Sequence, residues 1–223
     1  CISALFWPGF AVRTTLLAAL AGTVAVRHGE MRLDGRPLRR LSAGRRFDMG
    51  IAMAGRGRRP PAGATLFEAV AIAHALAQRP AWAWLRRPWS AAGPRGRREV
   101  GQLLTRLELD ALADHPVTGL PLGYRHRLLL ALALAGCPRL LLLDRPWRGQ
   151  ARQERRQHAE LLRQLCEDGM AVLLVEDDLE LVAELAAHVV VMHRGRVVAQ
   201  GSPAQIGARS DVRGIFAGEA GWP

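Results

Sequence analysis

At 223 residues with 49% hydrophobic content, the chain can bury a substantial core, as one domain or as a core with a sub-domain, without a disulfide framework. Its three cysteines, Cys1, Cys137 and Cys166, show no metal-type spacing and no C-x-x-C pair, so a reduced intracellular setting is expected, with Cys137 and Cys166 as buried thiols. The net charge of +11 rests on 31 basic residues, all arginine, in a chain with neither lysine nor asparagine. The arginines are scattered and lack interleaved aromatics, so coding bias and a solvated surface account for them better than a stacking platform, and no nucleic-acid partner is expected. No apolar run reaches the roughly 18 residues of a membrane-spanning helix, and residues 1–20 lack a charged start followed by a cleavage site.

The chain opens on an apolar run, Ile2–Phe6, that reads as a buried strand. The segment Trp7-Pro8-Gly9-Phe10-Ala11-Val12-Arg13-Thr14-Thr15 then has the outline of a phosphate-binding loop, G-x-x-x-x-G-K-[ST]. In such a loop glycines let backbone N–H groups curl around phosphate oxygens, lysine adds charge and the hydroxyl holds magnesium. Trp7 and Val12 stand at the glycine positions, Arg13 at the lysine and Thr14 at the hydroxyl, and Thr15–Leu20 begins a helix whose N-terminus can face an anion. Taken alone, this pattern fits many strand-to-helix turns. From about Thr65 to Leu112 the pattern is helical, with Phe67, Val70, Ala71, His74 and Ala75 at three- and four-residue intervals. Trp82, Trp84, Leu85 and Trp89 follow among prolines and arginines, and Val100, Leu103, Leu104, Leu107 and Leu109 resume the helical period.

Leu140–Leu143, Val172–Val175 and Val189–Met192 are further continuous apolar runs of the kind a parallel sheet covered on both faces contains. Between them, Arg152–Glu167 and a segment carrying Leu179, Val182, Leu185 and Ala186 have helical faces, giving the alternation of a βαβ layout. His193-Arg194-Gly195-Arg196 reads as a tight turn, and residues after Gly201 as a polar tail. The expected fold is α/β, with a helical insertion in the middle.

Four more segments fall in order. Leu120-Pro121-Leu122-Gly123-Tyr124-Arg125-His126-Arg127 precedes a helix through Leu128–Ala135. Leu140–Leu143 ends in Asp144-Arg145-Pro146, Val172–Val175 ends in Glu176-Asp177-Asp178, and Gly50–Val70 leads into the helical insertion. Read alone, Asp144 caps a strand end and pairs with Arg145, and the three acids form a solvated N-cap, about as readily as either serves a function.

With these motifs at matching spacings over nearly its whole length, the chain resembles the ATP-binding subunit of ATP-binding cassette (ABC) transporters, most closely the branch that imports branched-chain amino acids. Val197–Ile206 is similar to the closing strand and turn of the family, and Asp211-Val212-Arg213-Gly214-Ile215-Phe216 to the short C-terminal extension of that branch. The resemblance implies a P-loop NTPase-type parallel core over 1–55 and 136–205, a helical sub-domain over 56–135 that contacts membrane-spanning subunits, and a tail over 206–223. It also implies a truncated N-terminus, because the family places two or more strands and an adenine-stacking aromatic before the position of Ile2.

By the same resemblance, ATP and Mg²⁺ are the cofactors. Gly9, Arg13, Thr14, Thr15, Arg56 and Gly123 face the nucleotide, and Thr14 and Asp144 hold the metal. Arg56 stands at the Q-loop glutamine. Leu120, Pro121 and Gly123 match an L-P-Y-G-Q form of the signature, with Tyr124 in place of the glutamine. Arg145 replaces the glutamate that polarises the attacking water, Asp177 replaces the γ-phosphate-sensing histidine, and the D-loop Trp147-Arg148-Gly149-Gln150-Ala151-Arg152 keeps only Gly149. The chemistry of Arg13 differs too, since a planar guanidinium fork is not a compact ammonium.

The expected role is to energise import through ATP-driven closure of two such domains, in a homo- or heterodimer on transmembrane permease subunits at the cytoplasmic face of the plasma membrane, with hydrolysis weak or absent. The alternatives are a non-catalytic partner in a mixed dimer, a decaying non-functional copy and, last, a basic nucleic-acid-binding protein.

Overall fold

The computed structural model describes residues 1–6, 13–55, 60, 61, 63–78, 93–146 and 149–219, with the backbone alone for Arg13, Thr14, Leu122, Leu179 and residues 215–219. The first apolar run is strand β1 (Ile2–Phe6), followed after residues 7–12 by helix α1 (Arg13–Ala21). A short hairpin, β2 (Arg32–Leu33) and β3 (Arg36–Pro37), leads to α2 (Ala43–Asp48) and strand β4 (Ile51–Ala54). Next come α3 (Leu66–Ala77), α4 (Pro94–Arg106) and α5 (Leu122–Leu134). The second half alternates: β5 (Leu140–Asp144), α6 (Arg152–Glu167), β6 (Ala171–Glu176), α7 (Leu179–Leu185), β7 (His188–His193) and β8 (Arg196–Gly201), ending in α8 (Pro203–Ala208) and α9 (Ser210–Glu219).

The main sheet has the order β4-β5-β6-β1-β7-β8, parallel throughout except for β8, which runs antiparallel to β7. Alternate residues of each strand enter two separate apolar layers. Leu141 and Leu143 pack with Ala4, Val172, Leu174 and Val189 on one face, whereas Leu142 joins Leu5, Ile51, Val175 and the fully buried Leu17 of α1 on the other. Coverage of both faces is why these strands read as near-continuous apolar runs, Ser3 of β1 aside, instead of alternating. Each such leucine contributes about 1.5–3 kcal/mol by its burial.

Two caps hold the ends of the early helices. Thr65 and Glu68 form a reciprocal capping box at the start of α3. Arg46 of α2 is 2% exposed and donates to the carbonyls of Ala19, Leu20 and Leu41. It thereby places a positive charge on the C-terminal turn of α1, where the helix dipole favours one. Burial lowers its pKa from the ordinary arginine value.

In the helical middle, α3 packs against α4 and α5, and α5 lies on β4. His74 of α3 is buried, its Nδ1 3.0 Å from the Ala135 carbonyl oxygen and its Nε2 3.1 Å from Glu99 Oε2 of α4. Gly136, just after α5, lies against α2: a Cβ there would sit 2.7 Å from Phe47 Cζ, so any larger residue would push the Phe47 ring aside.

Several expectations are corrected. Leu107 and Leu109 are fully buried but lie beyond α4, which stops at Arg106; Glu108, at φ +54, turns the chain between them. Residues after Gly201 form two helices instead of a polar tail, because Ile206 and Val212 insert into the core and Ser202 caps α8 with Gln205. Cys137 is an exposed thiol at φ +48 rather than a buried one, and Cys166 is half-buried. The turn at Arg194-Gly195 takes positive φ at both residues, the geometry that joins twisted antiparallel strands. The tryptophans at 82, 84 and 89 lie outside the described residues.

Candidate functional site at the C-terminal edge of the sheet

Because β5 and β6 are parallel neighbours, the segments that follow them emerge at one edge, where β1 also ends and where ligands of open α/β sheets bind. That edge gathers the groups after Asp144 and Val175. Of the residues expected to face a nucleotide, Gly9 and Arg56 lie outside the described residues, as do the side chains of Arg13 and Thr14. Thr15 is exposed in the first turn of α1. Gly123 lies in the first turn of α5, 3.5 Å from Glu154 Oε1 measured from where a Cβ would stand, and Tyr124 beside it is exposed.

Asp144 ends β5 opposite Val175. The chain then turns sharply: Arg145 takes φ +45 and its N–H donates to the Val175 carbonyl at 3.0 Å. Its guanidinium reaches across to β6 and pairs with Asp177, Nη2 to Oδ2 2.9 Å. Arg145 and Asp177 thus form an ion pair between neighbouring strand ends.

The three acids after Val175 divide their tasks rather than sharing one N-cap. Glu176 is 4% exposed, and its Oε2 accepts the Asp177 N–H at 3.0 Å. Desolvation pushes its carboxyl up to about 7, against the opposing pull of that hydrogen bond and of Arg145. Asp177 holds Arg145. Asp178 caps α7 by accepting the Leu181 N–H at 3.2 Å and pairs with Arg155 of α6 at 2.6 Å.

Behind this edge runs a polar relay that sequence reading did not anticipate. Gln150 donates from Nε2 to His126 Nδ1 of α5 at 2.6 Å, while its Oε1 accepts from His158 Nδ1 of α6 at 2.8 Å. Arg127 donates to His158 Nε2 at 3.3 Å and also binds Glu108. Both nitrogens of His158 are therefore committed to a neutral ring with its proton on Nδ1. Burial first, then the positive charge of Arg127, lowers its pKa to about 4. These partners are 8 to 31 residues apart, so no local spacing announces them.

Among the described residues no three His, Cys, Asp or Glu side chains group to hold a metal. A magnesium ion bound to a nucleotide needs less, one or two carboxylates completed by phosphate oxygens and water, and Asp144 at the strand end fits that need. Beside it, the Arg145 guanidinium, which offers no base, is paired with the Asp177 carboxylate.

The sheet order and its flanking helices define a P-loop NTPase-type α/β fold. The crystal structure of an ATP-binding cassette of an ABC transporter in its ADP conformation superposes with a TM-score of 0.85, covering 98% of this chain and 88% of that one at 19% identity. A family model described as ABC transporter matches residues 13–148. The chain is also 34% identical over 222 residues to the hemin import ATP-binding protein of Streptomyces coelicolor, spanning 96% of this chain and 73% of the relative. It is 42% identical over 113 residues to an energy-coupling factor transporter ATP-binding protein of Symbiobacterium thermophilum, spanning 50% of this chain but only 39% of that protein. The chain belongs to the ABC transporter family, as an ATP-binding domain. No helix among the described residues is long and apolar enough to cross a membrane.

Proposed function

We propose that the chain is the ATP-binding subunit of an ABC importer that binds nucleotide and turns it over weakly or not at all. The supporting observation is the Arg145–Asp177 pair, standing at the two positions where the family resemblance puts a water-polarising glutamate and a phosphate-sensing histidine. Loss of a positioned general base costs about 10²–10⁴ in rate, and a reversed charge at the same place does not cost less. Asp144 and the Thr14 hydroxyl would hold magnesium, which supplies charge neutralisation of the phosphates. Arg13 would keep a positive charge at the loop, and the α1 N-terminus would add backbone donors.

On this reading the helical sub-domain over 56–135 docks on transmembrane permease subunits at the cytoplasmic face of the membrane. A second ATP-binding subunit completes the dimer, with this chain as its static member in a mixed pair. The similarity of Asp211–Phe216 to the extension of the branched-chain amino acid importers favours those or related solutes. The Streptomyces relative, matched over 96% of this chain, favours hemin as the second reading.

The test measures magnesium-dependent ATP binding and turnover of the chain beside a Val12→Gly, Arg13→Lys, Arg145→Glu, Asp177→His variant. Binding with turnover at least about a hundredfold below the variant is expected. Equal turnover would sink the reading. Uptake of branched-chain amino acids against hemin in a strain lacking the chain separates the two solutes.

A further inference from the structure

We infer that the lobe between α1 and β4 carries on its outer side a surface for anionic phospholipid headgroups, built on Arg27, Arg36, Arg39, Arg40 and Arg45. This rests on the reading above that the chain works at the cytoplasmic face of a membrane. The apolar residues of the lobe turn inward. Leu38 is buried in the same apolar layer as Leu17 of α1, and Met31, Leu33 and Leu41 pack against that layer. The Leu38 N–H donates to the Met31 carbonyl at 2.8 Å across the hairpin, and Arg46 ties α2 to the carbonyls of Ala19 and Leu20 at the end of α1.

What remains for the outer side is charge. The five arginines are exposed, and among the described residues none of them has an ion pair or a side-chain hydrogen bond. Two acids of the lobe are already matched, Glu30 by Arg32 at 3.2 Å and Asp34 by Arg139 at 2.7 Å, which leaves Asp48 at the end of α2 to offset the five. The other exposed arginines without such partners, Arg97, Arg98, Arg156, Arg194 and Arg196, are divided among α4, α6 and the β7–β8 turn. Coding bias decides arginine over lysine, but it does not gather unmatched charges in one lobe. Guanidinium groups bind phosphate oxygens through a planar fork of donors, and an anionic leaflet offers many phosphates without requiring a fixed pocket. Nucleic acid fits the lobe less well. No Phe, Tyr or Trp stands between Arg27 and Arg45 to stack on a base, and strands of two residues with a helix of six are too short to enter a duplex groove.

The experiment sediments the full chain with vesicles of phosphatidylcholine alone and of phosphatidylcholine carrying about 30% phosphatidylglycerol, at about 0.1 M salt. Beside the parent stand three sets of substitutions, each checked for folding by circular dichroism: the five lobe arginines to Gln, singly and together; the same five to Lys; and Arg97, Arg98, Arg156, Arg194 and Arg196 to Gln, which removes equal charge elsewhere. The parent is expected to bind the phosphatidylglycerol vesicles alone. Each single lobe Arg→Gln substitution is expected to weaken binding about fivefold, and all five together at least about a hundredfold. The lysine set and the distant glutamine set are each expected to stay within roughly tenfold of the parent.

Equal binding to the two kinds of vesicle, equal losses in the lobe and distant glutamine sets, or a lysine set that loses as much as the lobe glutamine set overturns the inference. So does duplex DNA bound as tightly as the phosphatidylglycerol vesicles at matched phosphate concentration, since the lobe would then be a general polyanion surface. Calorimetry with Mg-ATP on the same samples keeps this inference apart from the nucleotide reading. A chain that binds Mg-ATP but no vesicle overturns the lipid surface alone. Vesicle binding that follows the lobe arginines in a chain that binds no Mg-ATP supports the surface and removes the nucleotide reading, and absence of both overturns both.

Discussion

The carboxyl of Glu176 is 4% exposed, and desolvation raises its pKa from 4.5 to about 7. His158, held neutral between Gln150 and Arg127, has its pKa lowered from 6.5 to about 4. Linkage gives the two groups opposite signs. For Glu176 the folded state binds more protons between pH 4.5 and 7, so its contribution is complete below 4.5 and lost as pH rises through 7. For His158 the unfolded state binds more protons between 6.5 and 4, so stability is complete above 6.5 and lost as pH falls through 4. Between about 4.5 and 6.5 these slopes offset one another, and removing one acid exposes the other. Glu176→Gln keeps an acceptor for the Asp177 N–H but cannot ionise. The variant is expected to match the parent near pH 4.5 and to exceed it at pH 8 by on the order of 3 kcal/mol. Urea unfolding at both pH values reads the difference, and an equal offset at the two would show that Glu176 does not titrate on folding.

At the level of elements, the relay through Gln150 ties α5, α6 and the segment after β5 to one another through side chains that are mostly buried. Gln150→Leu leaves His158 Nδ1–H without its acceptor and is expected to cost about 1–3 kcal/mol. His158→Phe removes the same contact from the other side. If the relay is a unit, the double variant costs less than the sum of the singles by roughly 0.5–3 kcal/mol, whereas additive losses would mean the two side chains act separately. The relay also marks where sequence reading stops. The strands Ile2–Phe6 and Leu140–Leu143 were legible because a parallel strand covered on both faces reads as a near-continuous apolar run, broken here only by Ser3. Arg152–Glu167 was legible because Leu161, Leu162 and Leu165 repeat at the helical period. Asp177 was visible as a departure from a family position, but its partner was not, since pairing across two parallel strands depends on register rather than on spacing. The polar appearance of 202–219 hid Ile206 and Val212, single apolar anchors too far apart to form a run. Glu176 read as one of three like acids, and only the fold separates its buried carboxyl from the exposed ones.

Across the whole molecule, two of the departures from the family pattern bear on the proposed dimer. Tyr124, exposed at the head of α5, stands where the resemblance places the signature glutamine, and Gly149–Arg152 is the described part of the altered D-loop, whose Trp147 and Arg148 lie outside the described residues. Closing two copies of such a chain would set Tyr124 of one copy toward a site of the other that itself carries the Arg145–Asp177 pair. Neither site would then receive the side-chain amide that a glutamine supplies at the signature position. The chain is accordingly expected to sediment as a monomer in Mg-ATP as well as without it. The variant carrying Val12→Gly, Arg13→Lys and Tyr124→Gln is expected to shift toward twice that mass only when nucleotide is present. Velocity sedimentation at several protein concentrations distinguishes the two, and a nucleotide-dependent dimer of the unaltered chain would remove the static-partner role, because such a chain could close on itself without an intact companion.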